Sequence, residues 1–132
     1  MLLTKESDYG IRVIRALASS EKKTVKEICD AEFVPHQYAY KILKKLENAG
    51  ILQSIRGRDG GYRLAKPMSG FTLYDIVTAL DENSLIFECL RDDNTCVFKT
   101  ASKPCSVHDE FKRLQKRLIS EMNNVTMDKV II

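Results

Sequence analysis

The feature that most constrains this chain is an amphipathic run that stops at a glycine and leads at once into a glycine-rich, arginine-bearing turn. Residues 35–49 place Ala39, Ile42, Leu43 and Leu46 at the i, i+3, i+4, i+7 spacing of a helix with one apolar face. Pro35 suits the first helical position, where its missing N–H would be unpaired anyway. Gly50 is a natural C-terminal stop. The opposite face carries His36, Gln37, Tyr40, Lys41, Lys44 and Lys45. Two short β-prone runs, 51–56 and 62–64, then flank Gly57-Arg58-Asp59-Gly60-Gly61. That pattern predicts a hairpin with arginines at its tip.

The helices around this unit read from the same periodicity. Residues 5–19 form a first helix, with Val13, Ile14 and Leu17 following Gly10 and Thr4 or Ser7 as its cap. Residues 25–32 form a second, opened by the capping box Thr24-Val25-Lys26-Glu27. Residues 73–81 form a fourth, with Thr72 and Asp75 as an acidic box and Leu73, Ile76, Val77 and Leu80 as one stripe. No clear period runs through 82–105. Ser106 and Asp109 open a last helix by a further box, and Val107, Phe111, Leu114, Leu118, Met122 and Val125 make nearly a coiled-coil seam. At ~1.5 Å per residue that helix is roughly 28 Å long, too narrow-striped for a core helix, so it reads as a helix for a partner, most simply a second copy.

The expected fold is mainly α with a small β-hairpin: a winged helix-turn-helix head at 1–66, a linking helix and cysteine-bearing loop at 67–105, and a dimerisation helix and tail at 106–132, all one structural unit. The 132 residues, 44% of them hydrophobic, suit one such domain and are too apolar for a disordered chain. No apolar run approaches the ~20 residues of a membrane span, and the N-terminal stretch turns charged at Lys5, unlike a signal peptide. A cytoplasmic protein with no membrane partner is expected. Charge is uneven. Residues 1–66 hold 13 Lys and Arg against 8 Asp and Glu, whereas 67–132 hold 8 against 10. The basic half implies a polyanion partner or a solvated charged face.

Helices two and three, joined by Ala31–Val34, make a helix-turn-helix pattern with the hairpin as its wing. A major groove admits one helix and offers base-edge donors and acceptors. Gln37 can pair with adenine and Lys41 can reach guanine; Tyr38 or Tyr40 can touch a thymine methyl or a phosphate. Arg56 and Arg58 suit the adjacent minor groove, and Lys44 and Lys45 suit phosphates, which orient more than they specify. His36 opens the same surface. There is no phosphate loop, no G-x-S-x-G and no H-E-x-x-H, and only His36 and His108 are histidines, so no enzyme is expected.

Cys89, Cys96 and Cys105 lie within 17 residues, and no C-x-x-C pair makes a zinc ribbon of them. Such a loop can wrap thiolates around one metal centre; alternatively Cys89 is a buried apolar residue and the others are free thiols. Cys29 falls on the apolar face of helix two and reads as core.

The segments LTKESDYGIRVIRALA, YKILKKLENAGILQSIRGRDGGYRLAKP and SGFTLYDIVTALDE resemble the first helix, the recognition helix with its wing, and the fourth helix of the IscR/NsrR/CymR (Rrf) family of bacterial winged-helix transcription regulators. The resemblance covers nearly the whole chain. It implies a homodimer through the 106–125 helix, bound to a promoter palindrome in double-stranded DNA. It also implies an iron–sulfur cluster, 2Fe–2S or 4Fe–4S, on Cys89, Cys96 and Cys105, although their spacing is looser than the family's usual one. The fourth ligand it implies is His108, in a C-S-V-H similar to the IscR branch, or Asp8, supplied by the partner's first helix as in the NsrR branch. A sensor of iron–sulfur status, redox state or nitric oxide follows; relatives without these cysteines imply the alternative, a cluster-free regulator answering to a metabolite or protein.

Overall fold

The computed structural model describes residues 3–83, 85–93, 96–98 and 103–132. Parts of the aperiodic cysteine segment, 84, 94–95 and 99–102, and the first two residues lie outside them. The elements run α1 (Lys5–Ala18), α2 (Val25–Glu32), α3 (His36–Asn48), β1 (Leu52–Ile55), β2 (Gly61–Leu64), α4 (Leu73–Leu80), α5 (Ser106–Asn123) and α6 (Met127–Val130), with short 3₁₀ turns at Met68–Gly70 and Glu88–Leu90.

Local chemistry sets the helix starts. Thr4, Thr24 and Thr72 each accept the N–H three residues on, and Ser7, Glu27 and Asp75 reach back to the capping residue, so three boxes close. Two expected starts shift by one residue. Pro35 is the residue before α3, extended at ψ 135°, and its carbonyl accepts from Tyr38 and Ala39. The box at Ser106 does not form, because the chain turns helical there already; Cys105 is the cap and its carbonyl takes the Asp109 N–H at 3.1 Å.

The main core lies where α1, α2, α3 and α4 converge. Val13, Ile14, Ile28, Ala39, Ile42, Leu43, Leu46 and Ile76 are fully buried there. Each buried Ile or Leu contributes about 1.5–3 kcal/mol, so the stripe on α3 fixes which way its polar face turns. Gly10 sits where an added Cβ would come 2.3 Å from Leu80 Cδ1, which lets α1 lie close on α4. Cys29 is 5% exposed in this core, as its place on helix two predicts, and burial pushes its thiol pKa up.

The hairpin is antiparallel, with Leu52 opposite Leu64 and Ile55 opposite Gly61. It is fastened twice. Ser54 donates its hydroxyl to Glu47 Oε1 at 2.5 Å, tying β1 to the last turn of α3. Lys23 and Tyr62 exchange backbone hydrogen bonds of 3.0 and 2.8 Å, tying β2 to the loop before α2. Lys22 Nζ adds a bond to the Asp59 carbonyl.

The C-terminus departs most from expectation. The end of the α5 seam is not left for a partner: Met122 is buried with Val77, and Leu118, Leu73, Tyr74 and Ile86 pack around them. After α5, a bridge between Thr72 and Thr126 and a 3.0 Å bond from Met127 N–H to the Phe71 carbonyl bring the tail back, and Met127 enters the main core fully buried. The reason is tertiary: α4 and the 3₁₀ turn before it offer apolar side chains and free main-chain groups that the tail covers. Val107 and Leu114 in the N-terminal part of the seam remain open, 56% and 43% exposed, as does Val125 just beyond α5, at 38%.

Candidate nucleic-acid interface and cysteine site

The buried stripe of α3 leaves its other face to solvent. His36, Gln37, Tyr40, Lys41 and Lys44 are exposed, Tyr40 by 61%. Arg56 and Arg58, on the turn after β1, are exposed, and Arg58 shares a shallow pocket with Lys22, Thr24 and Glu27 near the start of α2. Gly57 at φ +112° lets that turn adopt a backbone a side chain would oppose. Among the described residues Gln37, Tyr40, Arg56 and Arg58 have no ion pair or side-chain hydrogen bond, so their donors face water.

The remaining candidates are held by neighbours. Tyr38 lies against Tyr9, ring centroids 5.5 Å apart, and Arg12 stands over the Tyr9 ring. Lys44 lies 3.5 Å from Glu47. Lys41 and Lys45 both bond Glu6, at 2.6 and 2.8 Å, and these two bonds hold the Glu6 carboxyl below the usual carboxylate range. Lys45 is half-buried and also reaches the Leu80 carbonyl at 2.6 Å. In the turn between α2 and α3, Phe33 takes a left-handed conformation, φ 54°, and is 83% exposed. Arg15 clamps Glu32 just before it through both carboxylate oxygens.

The cysteines form a second locale. Cys89 in its 3₁₀ turn, Cys96, and His108 in the first turn of α5 line one cavity of about 250 Å³, together with Arg91, Asp92 and Lys112. Cys105, the cap of α5, is half-buried and does not line it. Asp8 sits on α1, paired with Arg12 at 3.1 Å, and does not line it either. Cys89, Cys96 and Cys105 are free thiols, and among the described residues no three Cys, His, Asp or Glu side chains close on a single metal ion. In kind the lining fits an iron–sulfur cluster: thiols and an imidazole are its ligands, and Lys112 is a cation that offsets an anionic group, whereas Arg91 is already paired with Asp93 at 3.0 Å and Glu88 at 3.7 Å.

The profile of the family described as "Rrf2: Iron-dependent Transcriptional regulator" matches residues 3–132. The chain belongs to the Rrf2 family. Its relatives include the HTH-type transcriptional regulator NsrR of Shouchella clausii, 31% identical over 78% of this chain and 72% of that one. The protein aau3 of Rhizobium meliloti is 36% identical over 69% of this chain, which spans 60% of that protein's length. The solved structure of CymR (YrzC), the global cysteine regulator of B. subtilis, covers 99% of this chain and 96% of its own at a TM-score of 0.76 and 19% identity, a likeness of fold.

Membership in Rrf2 makes this chain a DNA-binding transcriptional regulator with a winged helix, in a family that is typically dimeric, and it agrees with the expectation of no enzyme. Among the described residues no helix is long and apolar enough to cross a membrane. Two features of this Rrf2 chain are not foreseen from its sequence. One is the hold of Glu6 on two lysines of α3, since an acid in the first turn of α1 reads as ordinary N-terminal charge. The other is the placing of Arg91 and Lys112 beside the thiols, for which the aperiodic segment gives no signal.

Proposed function

We propose that this Rrf2 regulator is a cytoplasmic homodimer that places α3 of each copy in a major groove of a promoter palindrome, with Arg56 and Arg58 at the adjacent minor groove. The observation carrying this reading is the set of exposed donors Gln37 and Tyr40 on the outer face of α3 and Arg56 and Arg58 on the hairpin turn, none of them paired among the described residues. His36, Lys41 and Lys44 share that surface, whereas Tyr38 and Lys45 act from its edge. The open part of the α5 seam, Val107 and Leu114, is where a second copy would pack.

The same reading assigns Cys89, Cys96 and Cys105 as thiolate ligands of a 2Fe–2S or 4Fe–4S cluster, with His108 or the partner's Asp8 as fourth ligand. When bound, such a cluster supplies a centre that oxidants, nitric oxide or loss of iron destroys. The chain's own part is mechanical. Cys89 follows α4 within nine residues and Cys105 caps α5, so holding both fixes the segment between the head and the partner helix. Half-sites lie ~34 Å apart, so a shift in the spacing of two heads changes their fit, by no more than the difference in affinity between the two arrangements.

Protein purified without oxygen and reconstituted with iron and sulfide is expected to absorb visible light, and a Cys89/Cys96/Cys105→Ala variant to be colourless. Reconstitution should change affinity for a duplex selected from a random pool in the wild type only. A second reading, a cluster-free regulator answering to a metabolite or a protein partner, is favoured by the dispersed donors and by the fold shared with a cysteine regulator. It predicts colourless wild-type protein whose DNA affinity ignores iron and sulfide.

A further inference from the structure

Besides Glu47, which pairs with Lys44 within α3, an acid from another helix, Glu6 of α1, stands among the cations of the recognition helix. Glu6 accepts Lys41 Nζ on Oε1 at 2.6 Å and Lys45 Nζ on Oε2 at 2.8 Å. Lys41 and Lys45 are one helical turn apart on a single face, which is why one carboxylate serves both. Lys45 is held again by the Leu80 carbonyl, the last of α4. The Glu6 side chain is 23% exposed, against 59% for Lys41. The acid is therefore the more enclosed partner, fixed at the start of α1, and the lysines are drawn toward it. Two of the three lysines on α3 are occupied in this way.

We propose that Glu6 is a specificity-determining residue of the DNA interface: it withholds Lys41 and Lys45 from phosphate, so that a duplex lacking the right base edges gains little from α3. This rests on the DNA-binding reading above. Attraction between lysine and phosphate is the same for every sequence and supplies most of non-specific binding. Contacts to base edges discriminate. A helix with three unengaged lysines would hold any duplex; with two of them neutralised in place, His36, Gln37 and Tyr40 decide. Lys45 has a second acceptor and stays put when Glu6 is lost, so Lys41 is the cation that Glu6 mainly governs.

The test is equilibrium binding over a salt series to two probes, a random-sequence duplex pool and a duplex selected from that pool by the wild-type protein. For Glu6→Gln, affinity for the random pool is expected to rise about tenfold, and the slope of log affinity against log salt to steepen by about one, the share of Lys41. Affinity for the selected duplex rises less, so the ratio of the two falls. Glu6→Asp keeps the charge and stays near the wild-type ratio. Adding Lys41→Gln to Glu6→Gln returns the slope toward wild type, which a mere loss of fold would not do. Lys41→Gln alone gives an independent reading: its random-pool slope should match the wild type, because Lys41 was already withheld. A slope reduced by about one in that single variant overturns the proposal, as does an unchanged slope and ratio in Glu6→Gln. Wild-type protein that binds neither duplex overturns the DNA reading itself, and the role of Glu6 with it.

Discussion

At the scale of single residues, the wing depends on a hydrogen atom at Gly61. A Cβ there would come 2.5 Å from the Lys23 carbonyl oxygen, a backbone atom that cannot swing aside. The two bonds between Lys23 and Tyr62 exist only because nothing stands between the strands at that point. Gly61→Ala is expected to push the wing off the α1–α2 loop and to cost about 1–3 kcal/mol, the usual cost of overpacking. Thermal melting should show a midpoint several degrees lower, and amide exchange at Tyr62 should speed up; an unchanged midpoint and exchange rate would contradict it. Gly57, by contrast, has open space around it and matters through its positive φ alone.

At the scale of elements, two carboxylates fasten the DNA-binding unit. Glu27 closes the cap of α2, and the backbone N–H of Thr24 holds its pKa below the ordinary 4.5. Glu47 joins α3 to β1, and the Ser54 hydroxyl holds it below 4.5 as well. Because both pKa values are depressed in the folded state, the stability they supply is complete above 4.5 and is lost as pH falls through the folded values. Urea midpoints measured from neutral pH downward should therefore decline below about 4.5, and a Glu27→Gln/Glu47→Gln variant should show a flatter decline. An identical pH profile for the two proteins would refute this. The box at Glu27 was legible in the sequence because its partners are three residues apart; the Glu47–Ser54 joint was not, because it bridges the end of a helix and a strand beyond a turn. The same distinction explains α6. Its four residues are too few to show a period, and Met127 is core only because the tail docks on Phe71 and Thr72. The cap of α5 shows the converse: Ser106 and Asp109 have the spacing of a box, yet the helix begins one residue too early to use it.

At the scale of the whole molecule, the head was readable and its charge state was not. Periodicity placed α1 to α4, and glycines with β-prone flanks placed the wing. The excess of basic residues in 1–66 suggested a polyanion partner or a solvated charged face. The folded chain instead pairs Lys41, Lys44 and Lys45 with acids and leaves Arg56 and Arg58 without a carboxylate among the described residues. Surface pairs of this kind contribute about 0–1 kcal/mol each, so they add little to the stability of the fold. In the proposed reading the outer face of α3 reads bases while Arg56 and Arg58 enter the adjacent minor groove. This division of roles is tested most directly by binding of Gln37→Ala and of Arg56→Ala/Arg58→Ala to the selected duplex and the random pool across a salt series. Gln37→Ala is expected to lose about 1–3 kcal/mol on the selected duplex alone, and the arginine variant to weaken on both duplexes with a salt slope shallower by about two. Wild-type affinity and slope in both variants would contradict it.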